Sequence, residues 1–323
     1  MKIFNFESKI DINSINQYFE LSDNDVFFDI ETTGLSRKYS HIYMIGIGVI
    51  ENEFYKITQF FAETVLEERK VIEAFLNSIP EYSRLITYNG DRFDIPFVAE
   101  KNEQFRNMID NGFISSFDIY KAIKPLKSFL RLPALKQKNI EAFLGINRED
   151  KYDGGKLIKV YEEYQKRPDD EDEHFLIIHN REDVYGMLPL LKIFKYFQIK
   201  KINFINFSMK KESDEIIFKG STNLDLPRVI RIDLNDVYII LDKNIIKGIC
   251  PLYDGKMKHY FLNYKDYVYL IDEEKIIPKI LTSGINVERY RKPTKDECFV
   301  YVENDKISDS FFMDEIKNLF SGI

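Results

Sequence analysis

The apolar run Val26-Phe27-Phe28 leads straight into Asp29-Ile30-Glu31, and few folds tolerate two carboxylates at the exit of a buried strand. Side chains alternate along a strand, so Asp29 and Glu31 share one face. Thr32-Thr33-Gly34 then ends the strand with turn chemistry. Acidic groups held together repel and are driven to take up protons. Such a pair makes sense mainly as half of a cage for hard divalent cations, which want oxygen ligands. A solvated strand end is the simpler account of a bare Asp-x-Glu, and the wholly apolar approach argues against it.

Two further patches supply candidate partners. Leu85-Ile86-Thr87-Tyr88 reads as a second buried strand, with Asn89-Gly90 as its turn, and Asp94 opens the apolar segment Ile95 to Val98. Pro96 suits a first helical turn, so Asp94 is expected at a helix N-terminus, either as a cap or as a metal ligand. A helix is expected from about Phe175 to Phe197, in which His179 and Asp183 stand four apart and share one face. A histidine one turn from a metal-bound carboxylate is placed to take a proton from water. Alone, that spacing would more often mark a surface ion pair.

Taken in order, FDIETTGL, the run from Asn89 to Asp94, and His179 with Asp183 resemble the three motifs of the DEDD superfamily of 3′–5′ exonucleases, which have a ribonuclease H-like fold. The resemblance runs from about Asn24 to Tyr196, and the connecting sequences are most similar to the bacterial YprB-like branch. It implies a two-metal mechanism, with Mg²⁺ or Mn²⁺ ions about 3.5–4 Å apart at the scissile phosphate. Asp29 would be the shared ligand, Glu31, Asp94 and Asp183 would complete the two shells, and His179 would be the general base. Thr32, Thr33, Leu35, Asn89 and Phe93, with Lys124, Lys127 and Arg131, are the expected substrate contacts. The implied product is a nucleoside 5′-monophosphate released from a single-stranded 3′ end. One departure stands out: histidine occurs here at the three-residue spacing that tyrosine-type members use.

The net charge of −7 gives no bulk attraction to phosphate. Local pattern does better. Between Asp118 and Glu141 lie Lys121, Lys124, Lys127, Arg131, Lys136 and Lys138 with no acidic residue, and Tyr120, Phe129 and Leu132 are interleaved. That mixture suits backbone contact plus base stacking, although a solvated helix–loop face would look the same. The acidic stretch from Asp169 to Glu173 reads as an exposed loop. Two cysteines, Cys250 and Cys298, exclude a disulfide scaffold and a thiol-rich zinc site. The start MKIFNFESKIDINS lacks a signal peptide's apolar core, and the longest apolar run, Ile42 to Ile50, is too short to span a bilayer. A cytoplasmic protein is expected.

Strands near Val26–Ile30, Tyr43–Ile50 and Glu53–Phe60 are linked by short turns, so antiparallel pairing is expected. A helix over Leu66–Asn77 crosses to the strand before Asn89, and another strand falls near Phe117–Ile119, with Asp118 at its end as a structural or substrate-side residue. This order predicts a mixed five-stranded ribonuclease H-like sheet over residues 1–201. From about Lys201 short β-rich runs take over: EIIFKG, RVIRID, DVYIILD, KHYFLN, DYVYLID and CFVYVEND, then a helix from Met313 to Phe320. Residues 202–323 are therefore expected to form a β-rich accessory domain. Its Tyr253, Tyr260, Tyr264, Tyr267 and Tyr269 suit a stacking surface or, more commonly, a core. Two other functional classes fit the same residues: a binding or scaffolding protein that keeps the fold with weak catalysis, and a structure-selective endonuclease. Four mutually repelling carboxylates favour an enzyme over a binder and leave the endonuclease open.

Overall fold

A computed structural model describes residues 1–150, 154–261 and 263–321. They form two compact units, Met1–Phe194 and Lys195–Ile323. In the first, the chain runs β1 (Lys2–Lys9), α1 (Ile12–Asn16), β2 (Asp25–Thr32), β3 (Ile42–Glu51), β4 (Phe54–Phe61), α2 (Glu68–Leu76), β5 (Ser83–Thr87), α3 (Asp94–Lys101), α4 (Glu103–Asp110) and β6 (Ile114–Asp118). Helices α5 (Ile119–Ile123), α6 (Leu126–Phe129), α7 (Gln137–Leu144), α8 (Gly154–Lys166) and α9 (Asp170–Leu190) follow.

The sheet has six strands in the order β1-β4-β3-β2-β5-β6, one more than the expected five. The addition is β1, antiparallel to β4 with Phe4 opposite Gln59 and Phe6 opposite Ile57. Its alternation is plain in the sequence: Phe4 and Phe6 turn inward while Asn5 and Glu7 face solvent. From β1 to β2 the pairing is antiparallel; β2–β5 and β5–β6 are parallel. Two helices join the last strands because a parallel neighbour needs a crossover. Strand β2 is central and buried along nearly its whole length, so its exit must meet other elements rather than water.

Two helix boundaries differ from expectation. Helix α9 begins at Asp170, because Asp169 caps it by accepting from Glu171 N–H at 2.8 Å and Asp172 N–H at 3.4 Å. The acidic stretch read as a loop is thus the first turn of α9, where negative charge complements the helix dipole. Beyond Leu190 the chain tightens into a 3₁₀ stretch, Leu191–Lys201, just after Pro189. The expected helix at Leu66 starts as a 3₁₀ turn with Leu66 exposed, and the α-helical register opens at Glu68.

Glycine sets how closely α9 approaches the sheet. Gly46 lies opposite Asp29 on β3, and a Cβ there would collide with Asn180 Oδ1 of α9. Only glycine lets that helix turn settle against the strand beside Asp29.

The second unit carries a five-stranded antiparallel sheet within residues 204–251, a ribbon pairing Lys256–Tyr260 with Phe299–Glu303, a three-stranded sheet centred on Tyr267–Leu270, and the helix Asp309–Ser321. Leu262, in the run KHYFLN, lies outside the described residues. The five tyrosines named above are all half-buried, and the Tyr253 and Tyr260 hydroxyls both donate to Asp236, at 2.9 and 3.0 Å. Among the described residues no helix is long and apolar enough to cross a membrane.

Candidate metal centre

At the exit of β2, a bulge between Glu31 and Thr32 shifts the pairing with β3, as bulges near functional sites often do. Asp29 is half-buried and Glu31 is buried. Helix α9 crosses this end and brings His179 and Asp183. One ligand atom each of Glu31, His179 and Asp183 lies within 4.8 Å of the others. His179 Nε2 is 3.6 Å from Glu31 Oε1 and 3.4 Å from Asp183 Oδ2. Asp29 and Asp94 are not in this tight group but border it. Asp29 Oδ2 accepts from Asn180 Nδ2 at 2.8 Å, and Asp94 Oδ1 accepts from Ile30 N–H at 3.1 Å. Asp94 is the first helical residue of α3 rather than its cap, a position Phe93 fills. Its carboxylate reaches across to β2 instead.

The electrostatics are those of a pocket short of positive charge. Burial pushes the Glu31 carboxyl up to about 7, Asp183, Asp94 and Asp150 add to the shift, and His179 opposes it. Burial raises Asp94 to about 7 as well, against its backbone hydrogen bonds. Asp29 is held well above the usual carboxylate range by burial and by the charges of Asp94, Asp183 and Glu31, with Asn180 opposing. Burial alone would lower His179, but Glu31, the Asp150 hydrogen bond and Asp183 carry it to about 9. Oxygen donors that repel in this way fit a hard divalent cation, whose charge removes the repulsion.

Several residues of the site escaped sequence reasoning. Arg148, nearly buried, places Nη2 2.6 Å from Asp183 Oδ1 and Nη1 3.0 Å from Glu141 Oε2. Asp150 Oδ2 lies 2.7 Å from His179 Nδ1 and accepts from Lys138 Nζ at 2.8 Å. Glu182 accepts from the backbone N–H groups of Glu149 and Asp150 at 2.8 and 2.9 Å. Asn180, wholly buried, also accepts from Gln59 Nε2 at 2.7 Å. Asn180 and Glu182 belong to the same HNRED run as His179 and Asp183, a usable signal. Arg148 and Asp150 sit in a loop whose sequence, INRED, carries no pattern tied to a site.

The expected substrate contacts are scattered in character. Leu35 is 83% exposed. The Thr32 hydroxyl donates to the Gly34 carbonyl at 2.8 Å, and Thr33 Oγ1 accepts from His41 N–H at 2.9 Å, so both hold their own turn. Asn89 takes φ +66° and donates its N–H to Asp118 Oδ1 at 2.9 Å, which makes Asp118 the brace of that turn. Phe93 is half-buried with its ring 5.4 Å from that of Phe97. Lys124, Lys127 and Arg131 are exposed, and Lys124 Nζ stands 5.1 Å from the Tyr120 ring. Phe129 and Leu132 are buried and belong to the core rather than to a stacking surface; hydrophobic anchoring of short helices won over exposure. Lys138 is engaged by Asp150 at 2.8 Å, and Lys121 Nζ stands 3.4 Å from Asp91 Oδ2.

The family model of the RNase H superfamily matches residues 26–195, a span that contains every acidic residue of the site, and the chain belongs to that superfamily. Among solved structures, the zinc-bound form of Escherichia coli exonuclease I with single-stranded DNA is similar at 14% identity, covering 91% of this chain and 70% of that one, with a TM-score of 0.34. The E. coli enzyme bound to a 5cy-dA13 oligonucleotide gives 14%, 92%, 70% and 0.33, and a product-bound exonuclease I gives 12%, 93%, 73% and 0.33. No curated protein matches the chain in sequence.

Proposed function

We propose that the chain is a metal-dependent 3′–5′ exonuclease of the DEDD type that hydrolyses phosphodiester bonds of DNA or RNA and releases nucleoside 5′-monophosphates. The observation that carries this reading is the meeting of Glu31 with His179 and Asp183, from a strand and a distant helix, within 4.8 Å. Asp29 and Asp94 press their charges on the same spot. Membership of the superfamily supports it.

Asp29, Glu31, Asp94 and Asp183 would hold two Mg²⁺ or Mn²⁺ ions. Bound there, the ions would neutralise charge on the scissile phosphate and acidify the attacking water. Glu31 and Asp183 hold the metal-free ring protonated; cations bound to those carboxylates would offset that pull, and His179 would then accept the water's proton at Nε2, the nitrogen that faces Glu31 and Asp183. Asn180 orients the Asp29 carboxylate, and Ile30 N–H orients that of Asp94. Arg148 commits one oxygen of Asp183, leaving Oδ2 on the His179 side as the free ligand. Exposed Leu35 would contact a terminal base, and Lys124, Lys127 and Arg131 on the segment after β6 would contact the backbone. Residues 1–201 would act as the catalytic domain and 202–323 as an accessory domain, working in the cytoplasm on single-stranded 3′ ends.

The test is Mn²⁺-dependent digestion of 3′-labelled and 5′-labelled single strands of DNA and RNA. Mononucleotide release from the 3′ label, with stepwise shortening of the 5′-labelled strand, is expected. Internal cuts, or binding without cleavage, would overturn the reading in favour of an endonuclease or a binder.

A further inference from the structure

Helix position alone leaves the direction of the His179 ring unset. One turn separates His179 from Asp183, so the two side chains share a face, but the imidazole is free to rotate about its own bonds. The loop Arg148–Asp150 removes that freedom. Asp150 has a fully buried side chain, with Oδ2 2.7 Å from His179 Nδ1. Lys138 Nζ at 2.8 Å and Arg148 Nη2 at 3.5 Å set two cationic groups against the same oxygen. A carboxylate only accepts hydrogen bonds, so Nδ1 must carry the hydrogen and the lone pair of the neutral ring lies on Nε2. That nitrogen points between Glu31 and Asp183, at 3.6 and 3.4 Å.

The loop is itself held by α9. Glu182 receives the N–H groups of Glu149 and Asp150 on its two oxygens, Oε1 and Oε2. Thus one helix turn presents His179 and Asp183 to the site, while Glu182 beside them anchors the segment that returns Asp150 to His179.

We propose that Asp150 is the positioning residue for His179, fixing its tautomer and ring direction, and that Glu182 is the clasp that holds Asp150 in place. This rests on the exonuclease reading, in which His179 takes the proton. It also accounts for a histidine working at the short spacing to the last aspartate: a buried partner from a separate loop sets its aim.

The test uses the full chain. With Mn²⁺ and a labelled single strand, Asp150→Asn should lower kcat by roughly ten- to a hundredfold with KM nearly unchanged, the range seen for lost outer partners of site histidines. In a His179→Ala background the same substitution should have no further effect, because residues that act as one unit are not additive. Glu182→Gln should lower kcat in the same direction by less. A second readout needs no activity: the proton spectrum of the metal-free protein should show a low-field Nδ1–H resonance that disappears in both Asp150→Asn and His179→Ala. An equal loss of kcat with and without His179 would overturn the proposal, as would a resonance and kcat untouched by Asp150→Asn. If Asp150→Asn does not fold, Glu182→Gln decides: unchanged kcat and resonance would reject the clasp. A protein with no nuclease activity but an Asp150-dependent resonance would reject the exonuclease reading and leave the positioning geometry standing.

Discussion

Arg148 Nη2 lies 2.6 Å from Asp183 Oδ1, so a guanidinium already neutralises one oxygen of a carboxylate expected to bind metal. The same side chain reaches Glu141, Asp150 and Glu182. Removing it leaves buried acids without their counter-charge, and breaking a buried pair from one side typically costs about 3–5 kcal/mol. Arg148→Met should therefore lower the stability measured by denaturant unfolding by a few kcal/mol. A change under about 0.5 kcal/mol, the usual size for surface sites, would mean that the network is solvated in solution.

The pH dependence of the metal-free protein follows from the raised carboxyls. Glu31 and Asp94 are lifted to about 7, so their favourable contribution is fully present below the unfolded values near 4 and lost as pH rises through about 7. His179, lifted to about 9, adds a term present below about 6.5 and lost through about 9. Both act in one direction. Unfolding midpoints without metal should fall steadily from about pH 5 to about pH 9, and Mn²⁺ at pH 8 should restore them by mass action. Stability rising over that window would contradict the assignment.

Asp29→Asn removes one charge from a crowded set and keeps an acceptor for Asn180. The variant should lose turnover while its metal-free melting temperature stays level or rises. Loss of stability without loss of activity would make Asp29 structural.

The fold is legible in the sequence where one period dominates. Strand β2 and its two carboxylates read directly from alternation, and so does the antiparallel order of β2, β3 and β4. Strand β1 has the same alternation, but an N-terminal edge strand has no partner in the local sequence to announce it. The boundary at Asp170 misleads because charge density alone suggests a loop, whereas Asp169 with an acidic first turn is a capping arrangement. The carboxylates of the site are visible as motifs; Arg148, Asp150 and Gln59 are not. Their roles come from contacts across the fold, to Asp183, His179 and Asn180, and no local spacing encodes those.

Lys124 and Lys127 are exposed on the segment after β6. If they track the substrate backbone, replacing both with Ala should weaken binding of all sequences alike. The slope of log affinity against log salt should become shallower by about one unit for each phosphate that is no longer neutralised. An unchanged slope would return this run to a solvated face.

The most direct test of the metal cage is anomalous X-ray scattering from crystals of the protein soaked in Mn²⁺. Peaks within about 2.0–2.3 Å of carboxylate oxygens of Asp29, Glu31, Asp94 and Asp183 are predicted, with the His179 ring turned toward them and Nδ1 still on Asp150. Absence of any peak among these four residues, or an ion held elsewhere while they stay protonated, would contradict the account.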